Sequence, residues 1–260
     1  MSLLDIILLS TGILVEASVI ALLVYRRTYR NLPIFFLFLI WTIVSDFSMM
    51  ALSRHFGDQS QAYYRIYVVE FSLDFILQFA ILVELAWAVL RPIRSVLPRR
   101  TIPVISVLLL MAGAAIWPIA GKLTLNAPTP QWHILMQMQE AFSILRVLFV
   151  LVVAGFSQLL AIGWRDRELQ VATGLGFYWL VTLGASIVHT QHLSVPVYHR
   201  VDQLIAVSYL CSLVYWVFSF AQQEAARQEF TPGMQGFLLA VSGAARADRM
   251  ALQNLQKSRK

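Results

Sequence analysis

Seven long apolar runs fill most of this 260-residue chain, and each is long enough to cross a bilayer as a helix. A hydrocarbon core about 30 Å thick is spanned by roughly 20 residues at the helical rise. A water-facing domain of this length has no core large enough for a chain that is 58% hydrophobic and 13% charged. The runs therefore predict an all-α integral membrane protein, a seven-transmembrane-helix bundle, with the lipid bilayer as its first partner.

The spans are read as 3–25, 33–52, 64–90, 102–120, 134–164, 169–190 and 201–221, from the stretches between charged or helix-breaking residues. Pro33 suits the first turn of span 2, where a missing N–H costs nothing. Arg54 to Gln61, Asn126-Ala127-Pro128-Thr129-Pro130 and Gln191 to Arg200 are read as loops. The start Met1-Ser2-Leu3-Leu4-Asp5 has no basic segment before its apolar run, so that run is read as a retained span rather than a cleaved leader.

Basic residues set the expected orientation. One side of the bundle receives Arg26, Arg27, Arg30, the Arg91–Arg100 cluster, Arg165, Arg167 and the basic tail, and the other receives Arg54, Arg65, Lys122 and Arg200. The imbalance is 15 to 4, which predicts the N-terminus outside and the C-terminus cytoplasmic. The net charge of +6 is thus explained by topology, and no nucleic-acid partner is expected. Residues 1–221 form the expected seven-helix transmembrane domain, and 222–260 a cytoplasmic basic amphipathic tail. In that tail Phe237, Leu238, Val241, Ala245, Leu252 and Leu255 recur at helical spacing among basic residues. The pattern predicts a short amphipathic helix on the inner leaflet, with docking on a membrane or cytoplasmic protein as the alternative.

Ionisable groups within spans are costly in lipid, so they are expected to face the bundle interior. Glu70, Asp74 and Gln78 follow one another at intervals of four, which places them on one face of span 3, and Glu84 lies about four turns beyond Glu70. Glu16, Asp46 and Glu140 add carboxylates, and Arg146 is the basic residue deep within a run. His189, His199, Arg200 and Asp202 flank the outer ends of spans 6 and 7. The expected ligand-binding set is Asp46, Glu70, Asp74, Gln78, Glu140, Arg146 and His189, converging on an outward-facing polar pocket with Arg146 offsetting negative charge. The competing reading is that these carboxylates fix helix packing by hydrogen bonding.

Several chemistries lack their residues. Lys122, Lys257 and Lys260 lie outside the runs, so no amine is placed to hold retinal as a Schiff base. Walker, GxSxG and HExxH patterns do not occur, and no catalytic residue is assigned. The histidines cluster toward the outer side, where a haem pair within the bilayer is not formed and no metal site is assigned. Cys211 has no partner for an intrachain disulfide. No cofactor is expected. Seven spans with an outside N-terminus resemble, in topology alone, G-protein-coupled receptors and the seven-helix sensor modules of some bacterial histidine kinases. The resulting expectation is a multi-pass protein of a bacterial inner membrane, a sensor or receptor-like module for a small ligand. A transporter or channel subunit, and an accessory subunit of a larger membrane complex, are the alternatives.

Overall fold

The computed structural model describes residues 3–56, 61–89, 101–123, 130–159, 167–189 and 195–222. Among them are seven helices long and apolar enough to cross a membrane: α1 (Leu3–Tyr25), α2 (Pro33–Phe56), α3 (Gln61–Val89), α4 (Thr101–Leu123), α5 (Pro130–Leu159), α6 (Arg167–His189) and α7 (Val195–Ala221). No strand occurs among the described residues. The architecture is that of a multi-pass membrane protein. The tail beyond Gln222, with its expected amphipathic helix, lies outside the described residues, as does His192.

Two of the expected loops are shorter than the sequence reading made them. Helix α2 continues through Arg54 and His55 to Phe56, and α7 begins at Val195 rather than Val201. Pro196, expected in the loop, sits in the first turn of α7, where its missing N–H has no helical partner to lose. Pro130 opens α5 in the same way. Polarity misled the reading here: Tyr198, His199 and Arg200 are hydrophilic but helical.

Neighbouring helices in sequence are antiparallel, and α7 returns beside α1, so that these two run parallel. Gln203 Nε2 donates to Asp5 Oδ1 (3.0 Å) at one end, and Arg26 Nη2 to the Ala221 carbonyl (2.8 Å) at the other. Helix α7 also packs on α6, α6 on α5, and α2 on α3, while α3 reaches across to α5 and α6. Helix α4 packs on α5 and α3 from outside, and only 6% of its most apolar window is buried. Leu14, Val69, Met111, Leu151 and Phe218 are each more than 60% exposed on the outer surface. A surface this apolar needs a non-aqueous solvent.

The two ends of the bundle differ. At the hairpin end, α1 turns into α2 within a few residues through Arg27, whose φ of 56° is left-handed, and a 3-10 turn at Thr28–Arg30. The close-packed core sits at this end: Leu23, Phe35, Leu85, Leu175, Trp216 and Phe220 are fully buried. The Trp216 ring meets Phe35 edge-on at 4.9 Å, and its indole N–H donates to the Gln170 carbonyl (3.3 Å). This approach requires Gly174, because a Cβ there would overlap the indole ring. Ser212 Oγ ties the same strip of α6 to α7 by donating to the Gly174 carbonyl (2.8 Å).

Glu84, Arg167 and Arg26 at the hairpin end serve helix termini. The Glu84 carboxylate accepts from the backbone N–H of both Ile34 and Phe35, at 2.8 Å each, and so caps the first turn of α2. Arg167 donates to the carbonyls of Ser219 and Gln222 and lies against the Phe220 ring, while Arg26 takes the Ala221 carbonyl. The last turn of α7 is thereby closed by two guanidinium groups, which complement the helix dipole.

Candidate functional site

The opposite, N-terminal end holds most of the remaining interior polar groups. On α1, Asp5, Leu8, Gly12 and Glu16 recur at helical spacing and line one cavity. On α7, His199, Gln203, Ala206 and Leu210 form a similar stripe, joined by Asp202 and Tyr209. Asp46 closes the cavity from α2. Its volume is about 410 Å³, within the range of roughly 300–1,000 Å³ that small-molecule sites occupy. Gly12 opens the wall, since a Cβ there would meet nothing within 4 Å.

At the rim, Asp5 Oδ1 accepts from Gln203 Nε2 (3.0 Å) and lies 3.6 Å from His199 Nε2. His199 Nε2 and Gln203 Nε2 are 3.1 Å apart. This triad laces the starts of α1 and α7 together. Deeper in, Glu16 is 1% exposed and accepts from the Tyr209 hydroxyl at Oε1 (2.6 Å). No hydrogen bond to Glu16 Oε2 forms among the described residues. Asp46 makes no hydrogen bond among the described residues and lies within electrostatic reach of Glu16.

A second polar group lies between α3, α5 and α6. Gln78 bridges Asp74 and Arg146: its amide donates to Asp74 Oδ2, and its carbonyl oxygen accepts from Arg146 Nη1. Arg146 Nη2 donates to Ser143 Oγ (2.8 Å), Nε to the Phe142 carbonyl (3.3 Å), and the guanidinium lies over the Trp179 ring at 5.6 Å. Asp74 and Glu140 both lie within reach of this charge. Glu140 is 3% exposed and faces Ser186, but its Oε1 is buried without a hydrogen-bond partner, as is the Trp179 indole N–H. Glu70 takes a hydrogen bond from Ser45 of α2, and its Oε2 is also unpartnered. Tyr178 and Tyr209, with ring centroids 5.2 Å apart, stand between this group and the cavity.

The seven residues expected to form one pocket are thus divided. Asp46 lines the cavity but is exposed rather than turned into the bundle interior as expected; Asp74, Gln78, Arg146 and Glu140 form the inner cluster; Glu70 stands on the α2–α3 seam. His189 is the last residue of α6, and its side chain lies outside the described residues. Arg146 lies within electrostatic reach of Asp74 and Glu140, and the neutral Gln78 amide bridges it to Asp74. Glu84 stays on the side of α3 that meets α2, as Glu70 does, and serves the α2 terminus.

The expected ligand-binding set omits Asp5, Glu16, His199, Gln203 and Tyr209, although the sequence marks Glu16 as an interior carboxylate and His199 as an outer-end group. A signal was present. The polar and small residues of α1 and α7 share one helical stripe each, but only the parallel pairing of these two helices turns the stripes into facing walls. Among the described residues, no group of three or more His, Cys, Asp or Glu side chains is arranged to hold a metal ion. Comparison with protein-family models, with curated proteins and with solved structures finds no match to this chain.

Proposed function

We propose that this protein is a sensor or receptor-like module of a bacterial inner membrane, which binds a small ligand from outside in the cavity between α1, α2 and α7. The observation that carries this reading is the cavity itself: it is large enough for a small molecule, lies toward the N-terminal end, and sets polar groups among apolar ones. The orientation follows the basic residues, which gather at the hairpin end and so make the cavity extracytoplasmic. The ligand would report through α1 and α7, whose starts are laced at the rim and whose ends meet at the Arg26–Ala221 contact. The basic tail 222–260 would then anchor to the inner leaflet or pass the change to a protein partner.

A transporter fits less well. It needs a polar path through the full depth of the bundle, and the hairpin end is filled by Leu23, Phe35, Leu85, Leu175, Trp216 and Phe220. The test is purification of the full chain in lipid nanodiscs, followed by mass spectrometry of the small molecules released on denaturation. The expected result is a small molecule that is retained by the wild-type protein and lost from Gly12→Leu, whose side chain fills the cavity. Identical small-molecule content in the two proteins would overturn the pocket.

A further inference from the structure

We infer that the cavity between α1, α2 and α7 is specific for a small organic cation, a protonated amine carrying an apolar group, with Glu16 as its anchoring carboxylate. This inference rests on the ligand-binding reading of the same cavity and adds the chemical class of the ligand.

Charge is the first argument. Glu16 and Asp46 both face the cavity, and each lies within the electrostatic reach of the other. Two carboxylates on one cavity repel, and the buried one, Glu16, needs a partner when charged. The cations at hand are engaged elsewhere. Arg146 is bonded to Gln78, Ser143 and the Phe142 carbonyl and lies within reach of Asp74 and Glu140. His199 is held at the rim against Asp5 and Gln203. A ligand cation would supply the missing counter-charge.

Hydrogen bonding is the second and independent argument. Glu16 is 1% exposed, yet only Oε1 has a donor, the Tyr209 hydroxyl. That bond leaves Oε2 without a described donor, and Asp46, exposed on the same cavity, accepts from no described residue. An ammonium group carries three N–H donors and matches two carboxylates better than a neutral or anionic group does.

The wall supplies the third argument. Leu8, Leu9, Ala206 and Leu210 surround the acids with hydrocarbon, and the Tyr209 ring lies beside them. A metal ion would find no use for this wall, and the donor set for one is not assembled among the described residues. An amine with an aliphatic or aromatic body uses both halves of the cavity. Gly12, with open space over its Cα, leaves room for that body.

The experiment uses the full chain in nanodiscs and three probes of matched shape: phenethylamine, phenethyl alcohol and phenylacetate. Thermal unfolding is followed for wild type, Glu16→Gln, Asp46→Asn and Gly12→Leu. Phenethylamine should raise the unfolding temperature of wild type, while the alcohol and the acid should not. Its affinity should fall roughly thirtyfold or more in Glu16→Gln, and Gly12→Leu should abolish the response. Asp46→Asn, which loses no hydrogen bond among the described residues, should weaken the response and serves in place of Glu16→Gln if that variant does not fold. Equal responses to the amine and the alcohol would overturn the cation while leaving a ligand pocket in place. An amine response unchanged in Glu16→Gln, or in Asp46→Asn standing in for it, would place binding elsewhere and overturn the inference. No response to any probe would overturn it too, and if wild type and Gly12→Leu also carry the same small molecules, the pocket itself falls.

Discussion

Glu84 and Glu16 are both buried carboxylates in membrane-length helices, and their surroundings are opposite. Glu84, at the hairpin end, spends both oxygens on the first turn of α2. Glu16, toward the N-terminal end, spends one on Tyr209, has no described donor for the other, and lines a cavity. The contrast extends to their neighbours. Arg167 and Arg26 close the last carbonyls of α7, where Gln170 Oε1 is one buried atom left without a partner, whereas Glu70, Glu140 and Trp179, farther toward the N-terminal end, each keep such an atom. Buried polar groups with full hydrogen bonding hold a fold together, while partly satisfied ones are costly and point to another role. The hairpin end is a lock, and the N-terminal end has capacity left over.

Substitutions can break or sharpen this contrast, and unfolding of the full chain in nanodiscs or micelles measures each one. The largest effect belongs to Glu84→Ala, which strips two charge-assisted bonds from α2 and should cost roughly 2–4 kcal/mol. A loss below about 1 kcal/mol would mean that the cap is not structural. Next is Gly174→Ala. Its Cβ overlaps the Trp216 indole, and overpacking of this kind costs about 1–3 kcal/mol. Gly12→Ala should move the other way. Its Cβ enters open space, and removing a helical glycine should stabilise by roughly 0.5–1 kcal/mol. If the two glycine variants destabilise alike, the difference in packing between the ends is wrong. Asp46→Asn should change stability least, by about 0.5 kcal/mol or less, because no described hydrogen bond is lost. A large loss there would make Asp46 a packing residue.

The fold was legible because lipid imposes one simple rule on sequence: length and apolarity define each span. The rule fails at span ends, where hydrophilic residues stay helical, as Arg54–Phe56 and Val195–Arg200 do. The site was legible by helix but not by assembly. The spacing of Asp74 and Gln78 puts them side by side, where Gln78 joins Asp74 to Arg146, while Glu70 turns to Ser45 of α2. Which faces meet depends on the order of helices around the bundle. The return of α7 beside α1 unites Asp5, Glu16, His199, Gln203 and Tyr209, and that neighbour relation has no signature in either span alone. Glu84 shows the same limit in reverse. Its place along α3 suits the polar face, but at that depth the unpaired N–H groups of α2 stand opposite and take it.

Chemical access to position 12 tests the central claim most directly. With the native Cys211 replaced by Ser, Gly12→Cys places one thiol on the cavity wall. The full chain in membranes is then treated from the N-terminal side with a cationic and an anionic methanethiosulfonate reagent of similar size. A water-filled acidic cavity predicts modification by both, several-fold faster with the cation, and slowed by phenethylamine. A thiol that stays unmodified, or that reacts at equal rates with both reagents and ignores the amine, would contradict it.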